Sequence, residues 1–268
     1  MTVRRHGLVT RLWHWTNAVT LLVLLMSGLT IFNAHPRLYW GDAGNKHDPA
    51  WFAVGSSPTS SYVRINRTYI PSTGVIGHWR DDRGRVQNWA FPDWATIPST
   101  YDLAAGRQWH FFFAWVFAFG LLLFMAVSLF NRHIADSLHM RREDWSPRNL
   151  GTALVHHLKL RFPRGPAALR YNSLQKLSYI GVIFIALPLM VATGLAMSPQ
   201  MNVALPWLPE LFGGRQSARS WHFIIAFALV AFFLVHIAMV LLSGPINQMR
   251  GIIFGTIRLQ PESAIDGG

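Results

Sequence analysis

The chain contains no cysteine. That excludes disulfides, thiolate-held iron–sulfur clusters and the Cys-x-x-Cys-His tether of a c-type haem, so any haem must be held by histidine or methionine without a covalent link. Charge is scarce as well: 13% of residues are charged and 51% hydrophobic, where a soluble domain carries roughly 25% charged residues. So few charges cannot coat a water-facing surface, and the composition is that of a membrane protein. Acids are the scarcer sign, 12 against 24 Lys and Arg, for a net charge of +12. Such a surplus suits nucleic acid or an anionic lipid surface, and its distribution along the chain discriminates between them.

Four apolar runs are long enough to cross a bilayer, about residues 12–32, 109–130, 177–197 and 221–242. Lipid leaves backbone groups no partner outside the segment, so each run is expected to be a helix. The expected fold is an all-α membrane protein, a four-transmembrane-helix bundle with a long structured periplasmic loop, 33–108, between helices 1 and 2. A cytoplasmic loop follows at 131–176, with one membrane domain over 1–250 and a cytoplasmic tail at 251–268. With the N-terminus inside, the inner segments hold 14 of the 24 cations and the outer ones 7 of the 12 acids. The positive-inside rule then puts both termini on the cytoplasmic side. It also accounts for the basic balance through lipid, and nucleic acid is set aside. Met1–Arg11 is too short to be a cleaved signal peptide with its own apolar region, so the first span is expected to be retained.

The spans contain no Asp or Glu, but they do contain histidine. His222 and His236 lie fourteen residues apart, close to four helical turns, and so share one face roughly 21 Å apart at about 1.5 Å per residue. His14 stands in Arg11-Leu-Trp-His-Trp15 and His110 in Arg107-Gln-Trp-His-Phe111. The topology sorts them by depth, His14 with His236 near the inner face and His110 with His222 near the outer. An imidazole inside a membrane is costly unless it has a function. A bare divalent ion wants three or four ligands at one depth, whereas two trans histidines suit six-coordinate haem iron, which has no open position and moves electrons. The expected cofactors are two haem b groups forming a wire across the membrane, with the four histidines as iron ligands.

Around these, Arg107, Arg215 and Arg219 outside and Arg11 inside suit haem propionates as well as they suit plain interface cations. Gly28, Gly181 and Gly194 would let backbone approach a porphyrin, or simply pack helices. Met190, Met197 and Met239 read as core filler, and Pro188 predicts a kink in the third helix. His133, His139, His156 and His157 of the inner loop and His35, His47 and His78 of the outer loop read as ordinary polar residues. The long loop reads as a cap or docking surface, or else a structured connector, with a hairpin across Val75–Phe91 and a strand across Ser61–Ile70. Two rivals remain open: a transporter or metal-ion permease using the histidines, and a structural anchor that binds no haem.

Arg11-Leu-Trp-His-Trp15, Trp109-His110, the histidine pair fourteen apart and Tyr171-Asn-Ser-Leu-Gln-Lys176 together resemble the bacterial di-haem cytochrome b family, the membrane subunits of nickel–iron hydrogenases and formate dehydrogenases. The resemblance implies electron transfer between a periplasmic redox partner and the quinone pool, with quinone as substrate or exchangeable cofactor at the inner haem. Asn172 and Gln175 would meet its head group, since an amide can donate to a quinone carbonyl; without the resemblance, Asn172 serves equally as a helix N-cap. The long first loop and Leu211-Phe-Gly-Gly-Arg-Gln-Ser-Ala-Arg219 are more similar to relatives that accompany molybdopterin oxidoreductases of the sulfite-oxidase type. Expected partners are therefore such an oxidoreductase, quinone and lipid, with a second copy of the chain open. The chain is expected to be an electron-transfer subunit, with no substrate-converting centre beyond the quinone step.

Overall fold

The computed structural model describes residues 2–130, 145–158 and 173–258. A short strand β1, Thr2–Arg4, leads into helix α1, Leu8–Asn33. The first loop carries strands β2 (Arg37–Leu38), β3 (Phe52–Ser56), β4 (Ser61–Ile65), β5 (Thr68–Pro71), β6 (Trp79–Arg80) and β7 (Val86–Gln87). Helix α2, Leu103–Phe130, follows, then α3, Pro147–Leu158. The third membrane helix runs as α4 (Ser173–Ile180), a π-helical stretch Gly181–Ala186, and α5 (Leu187–Ala196). Short helices α6 (Pro199–Ala204) and α7 (Trp207–Leu211) precede α8, Arg215–Leu242, and the described residues end with α9 (Pro245–Phe254) and strand β8 (Thr256–Arg258).

Among the described residues four helices are long and apolar enough to cross a membrane: Leu8–Asn33, Leu103–Phe130, Ser173–Ala196 and Arg215–Leu242. The second and fourth begin six residues before their apolar runs because polar neighbours satisfy their first N–H groups. α2 starts at 103 because the Asp102 carboxylate accepts from the Ala105 N–H at 3.0 Å, an N-cap. The expected kink at Pro188 takes the form of the π stretch. Proline has no N–H for the carbonyl four residues back, and the Leu187 N–H reaches Val182 O, five residues back.

Contacts group the chain into two compact units, one of residues 1–17, 120–188 and 228–268 and one of residues 18–119 and 189–227. In the first, the terminal unit, β1 and β8 pair antiparallel with Val3 opposite Ile257. Gly255, in the left-handed region at φ 81°, ends α9, and its carbonyl accepts from Arg5 N at 2.7 Å. Arg11 Nη1 donates to Ile253 O at 2.6 Å, placing a cation at the negative end of α9. The segment from 251, expected as a tail, forms the end of α9 and strand β8 through 258. Nearby, Trp13 stacks on Phe124 at 4.1 Å.

In the second, the loop unit, β2-β3-β4-β5 form a four-stranded antiparallel sheet. The single strand expected over Ser61–Ile70 is two strands, with Ile65 opposite Thr68 and Asn66 turning at φ 50°. The expected hairpin is present as β6 paired with β7. Its turn is held by Asp81, whose carboxylate accepts from Arg85 Nε, Gln87 Nε2 and the N–H groups of Arg83 and Arg85. Being covered would by itself raise the Asp81 pKa, but these bonds outweigh that and hold it at about 2.

The loop is rooted in the helices. Phe32 of α1 packs with Leu38, Val54, Ala90 and Phe91, and Phe223 of α8 packs against them. The Asn33 side chain donates to Phe91 O and accepts from Phe91 N. α8 starts at Arg215, six residues before the apolar run, because the loop meets its free N–H groups: Gly41 O accepts from Gln216 N at 2.9 Å and Ser217 N at 3.0 Å, and Asp42 Oδ1 from Arg215 N. Gly214, at φ 104°, must be glycine, since a Cβ there would lie 2.5 Å from the Gly41 carbonyl carbon.

Candidate functional site

α1 carries His14, α2 carries His110, and α8 carries both His222 and His236. Within the terminal unit the rings of His14 and His236 have centroids 6.5 Å apart; within the loop unit those of His110 and His222 are 6.4 Å apart. The pairing by depth expected from sequence is the pairing in space. A metal–nitrogen bond is roughly 2 Å, and the ring centre lies about 1 Å further, so a metal held by both rings sets their centres about 6 Å apart. Both pairs have that separation. Among the described residues no three of His, Asp and Glu gather at one point, so each pair offers two imidazole nitrogens.

The loop-unit rings are oriented by hydrogen bonds. His110 Nδ1 lies 3.2 Å from Leu24 O and 3.1 Å from Ser27 Oγ. A carbonyl only accepts, so Nδ1 carries the proton and Nε2 has the free lone pair. Ser27 spends its own proton on Val23 O at 2.6 Å, which leaves its oxygen to accept. His222 repeats the arrangement: Nδ1 is 2.9 Å from Thr193 Oγ1, which donates to Leu189 O at 2.7 Å. The Met190 carbonyl also accepts from His222. Gly28 and Gly194, each one residue after the hydroxyl, face the rings, and an added Cβ would sit in ordinary van der Waals contact, 3.4 Å from His110 Cε1 and 3.5 Å from His222 Cε1.

Ser27 and Thr193 are the functional candidates that sequence reasoning missed. Their signal was a hydroxyl directly before a glycine, once in the first span and once in the third. Gly28 and Gly194 were noted, and each faces an imidazole ring. Gly181 differs: a Cβ there would meet nothing within 4 Å.

In the terminal unit, His236 stacks with Phe232 at 5.9 Å and His14 lies edge-on to Trp15 at 5.3 Å. His14 Nδ1 is buried with no hydrogen-bond partner among the described residues. Arg11, one turn before His14, keeps donors beyond the one on Ile253. Of the other arginines, Arg219 donates to His35 O at 2.7 Å and lies over Phe32, Arg215 Nε donates to Met197 O at 3.0 Å, and Arg107 lies over the Phe111 ring. Gln175 lies in the first turn of α4, partly buried; Asn172 lies outside the described residues, as do His133 and His139. His35 bonds Tyr39 Oη at 3.0 Å and His78 bonds Asn88 Oδ1 at 2.9 Å, ordinary polar roles as expected.

The chain matches the family of prokaryotic cytochrome b561 over residues 5–255, most of its length, and belongs to it. It is 26% identical over 232 residues, 87% of each chain, to a putative protein-methionine-sulfoxide reductase subunit, YedZ1, of Azospira oryzae. No solved structure matches. The protein is therefore a multi-pass membrane cytochrome that binds haem b and transfers electrons, which sets aside the permease and the haem-free anchor. The residues fit that group: paired imidazoles at metal-bridging separation, with Nε2 lone pairs left free in the loop unit.

Proposed function

With the chain in a cytochrome b family, we propose that it carries two haem b groups, one between His14 and His236 and one between His110 and His222, and passes electrons across the bacterial inner membrane. The reading is carried by one observation, two histidine pairs of nearly equal ring separation, 6.5 and 6.4 Å, sharing the continuous helix α8. Bound there, each group would supply a one-electron carrier. The protein's part is to fix the imidazoles, exclude water and offer Arg11, Arg107, Arg215 and Arg219 as cations to the carboxylate edges.

The inner end exchanges electrons with membrane quinone, whose head group Asn172 and Gln175 bind by amide hydrogen bonds. The outer end faces a periplasmic redox partner that docks on the folded first loop. The similarity to a putative protein-methionine-sulfoxide reductase subunit supports a molybdopterin reductase as that partner, and thus outward flow. Each quinol oxidised releases two electrons and two protons, and two electrons with two protons convert a sulfoxide to thioether and water. Both termini then lie in the cytoplasm, in keeping with the excess of Lys and Arg in the inner segments.

A pyridine haemochrome assay on detergent-purified protein tests the cofactor reading, with about two haem b per chain expected from two bis-histidine sites; none, with adequate haem supply, overturns it. Asn172→Ala should slow quinol-linked reduction while both haems stay bound. Unchanged turnover would return Asn172 to capping α4.

A further inference from the structure

We propose that Ser27 and Thr193 are positioning residues that set the ligand strength of His110 and His222 and thereby lower the reduction potential of the outer haem relative to the inner one. This rests on the reading that these histidines ligate haem. Both hydroxyls are fully buried, at 0% exposure. Each has already committed its proton to a carbonyl one turn back, at 2.6 Å for Ser27 and 2.7 Å for Thr193, so towards the histidine each can only accept. The Nδ1 atoms lie 3.1 and 2.9 Å away. Acceptance from Nδ1–H shifts electron density into the ring and makes Nε2 a stronger donor. A stronger donor favours ferric over ferrous iron, and hydrogen bonding around ligands is among the levers that set potential.

The arrangement occurs twice in the loop unit, from α1 towards His110 and from α5 towards His222, with the following glycine opposed to the ring each time. In the terminal unit, His14 Nδ1 has no polar partner among the described residues. Identical cofactors would thus be given different potentials by their second hydrogen bonds. The hydroxyls also lock each ring's rotation, because a bond from Nδ1 to a fixed helix atom leaves one orientation.

The experiment is a spectropotentiometric titration of purified wild type, Ser27→Ala, Thr193→Val and Thr193→Ser, with haem per chain measured on each. Thr193→Val keeps shape and removes the acceptor, whereas Thr193→Ser keeps the acceptor. We expect one of the two one-electron steps to move to more positive potential in Ser27→Ala and Thr193→Val, by up to about tenfold in the oxidised-to-reduced ratio, about 59 mV for one electron. The other step should stay in place, and Thr193→Ser should titrate like wild type. Loss of one haem in Thr193→Val with retention in Thr193→Ser supports the role, since Ser keeps the hydroxyl that Val lacks while giving up a methyl group. Two haems with unmoved potentials in both hydroxyl-deleted variants overturn the proposal and leave the histidine ligands standing. Wild type without haem overturns the ligand reading itself.

Discussion

Behind His110 and His222 stand a serine and a threonine with fully buried hydroxyls, whereas behind His14 the buried Nδ1 meets no polar partner among the described residues. The ring separations of the two pairs are nevertheless almost the same, 6.4 and 6.5 Å. Separation follows from where helices present their faces, which apolar packing fixes. What each ring bonds on its far side depends on a single residue of a neighbouring helix. The surroundings differ in the same way. The loop unit also carries a four-stranded sheet and the capped start of α8, while the terminal unit carries a two-stranded ribbon and Arg11 at the end of α9.

The contrast breaks most completely if a ligand is removed. His222→Ala should reduce haem to about one per chain and spare the inner centre, and His14→Ala should do the reverse; spectra showing the same centre lost in both would dissolve the two-site assignment. Next in size is Gly194→Val, which drives methyl groups into the His222 ring and should cost the outer haem, while Gly181→Ala, where a Cβ meets nothing within 4 Å, should retain both. Haem content per chain decides between them.

Gly214→Ala puts a side chain at φ 104° against the Gly41 backbone. Strain of this kind costs about 1–3 kcal/mol, so differential scanning should show a lower melting temperature, with the outer spectrum perturbed and the inner one unchanged.

The smallest effect is pH dependence at His35, just beyond α1. Partial burial, then the Arg219 and Arg37 cations, hold its pKa below the ordinary 6.5. Above 6.5 folded and unfolded chains are both neutral there. As pH falls below 6.5 the unfolded chain takes a proton that folded His35 refuses, so stability declines from there towards the folded pKa. Melting temperatures between pH 7.5 and 5 should fall less steeply in His35→Gln than in wild type.

Sequence alone determined a good deal. Uninterrupted apolar runs without acids required four helices, because lipid allows the backbone no other partner. The fourteen-residue interval on one helix, combined with the order of entry into the membrane, fixed which histidine met which. The hairpin at Asp81 was legible from its glycine turn and alternating flanks. These are local or periodic signals, and a linear reading captures them. Ser27 against His110 joins residues 83 apart and Thr193 against His222 residues 29 apart, and no periodicity records the rotation of one helix about its axis relative to another. Nor could the run at Trp221 show that α8 begins at Arg215, since its first N–H groups are satisfied by Gly41, 175 and 176 positions earlier. The tertiary structure alone decided these contacts, because a hydrogen bond only a few ångströms long depends on three-dimensional packing, whereas membrane crossing depends on the summed transfer energy of some twenty residues.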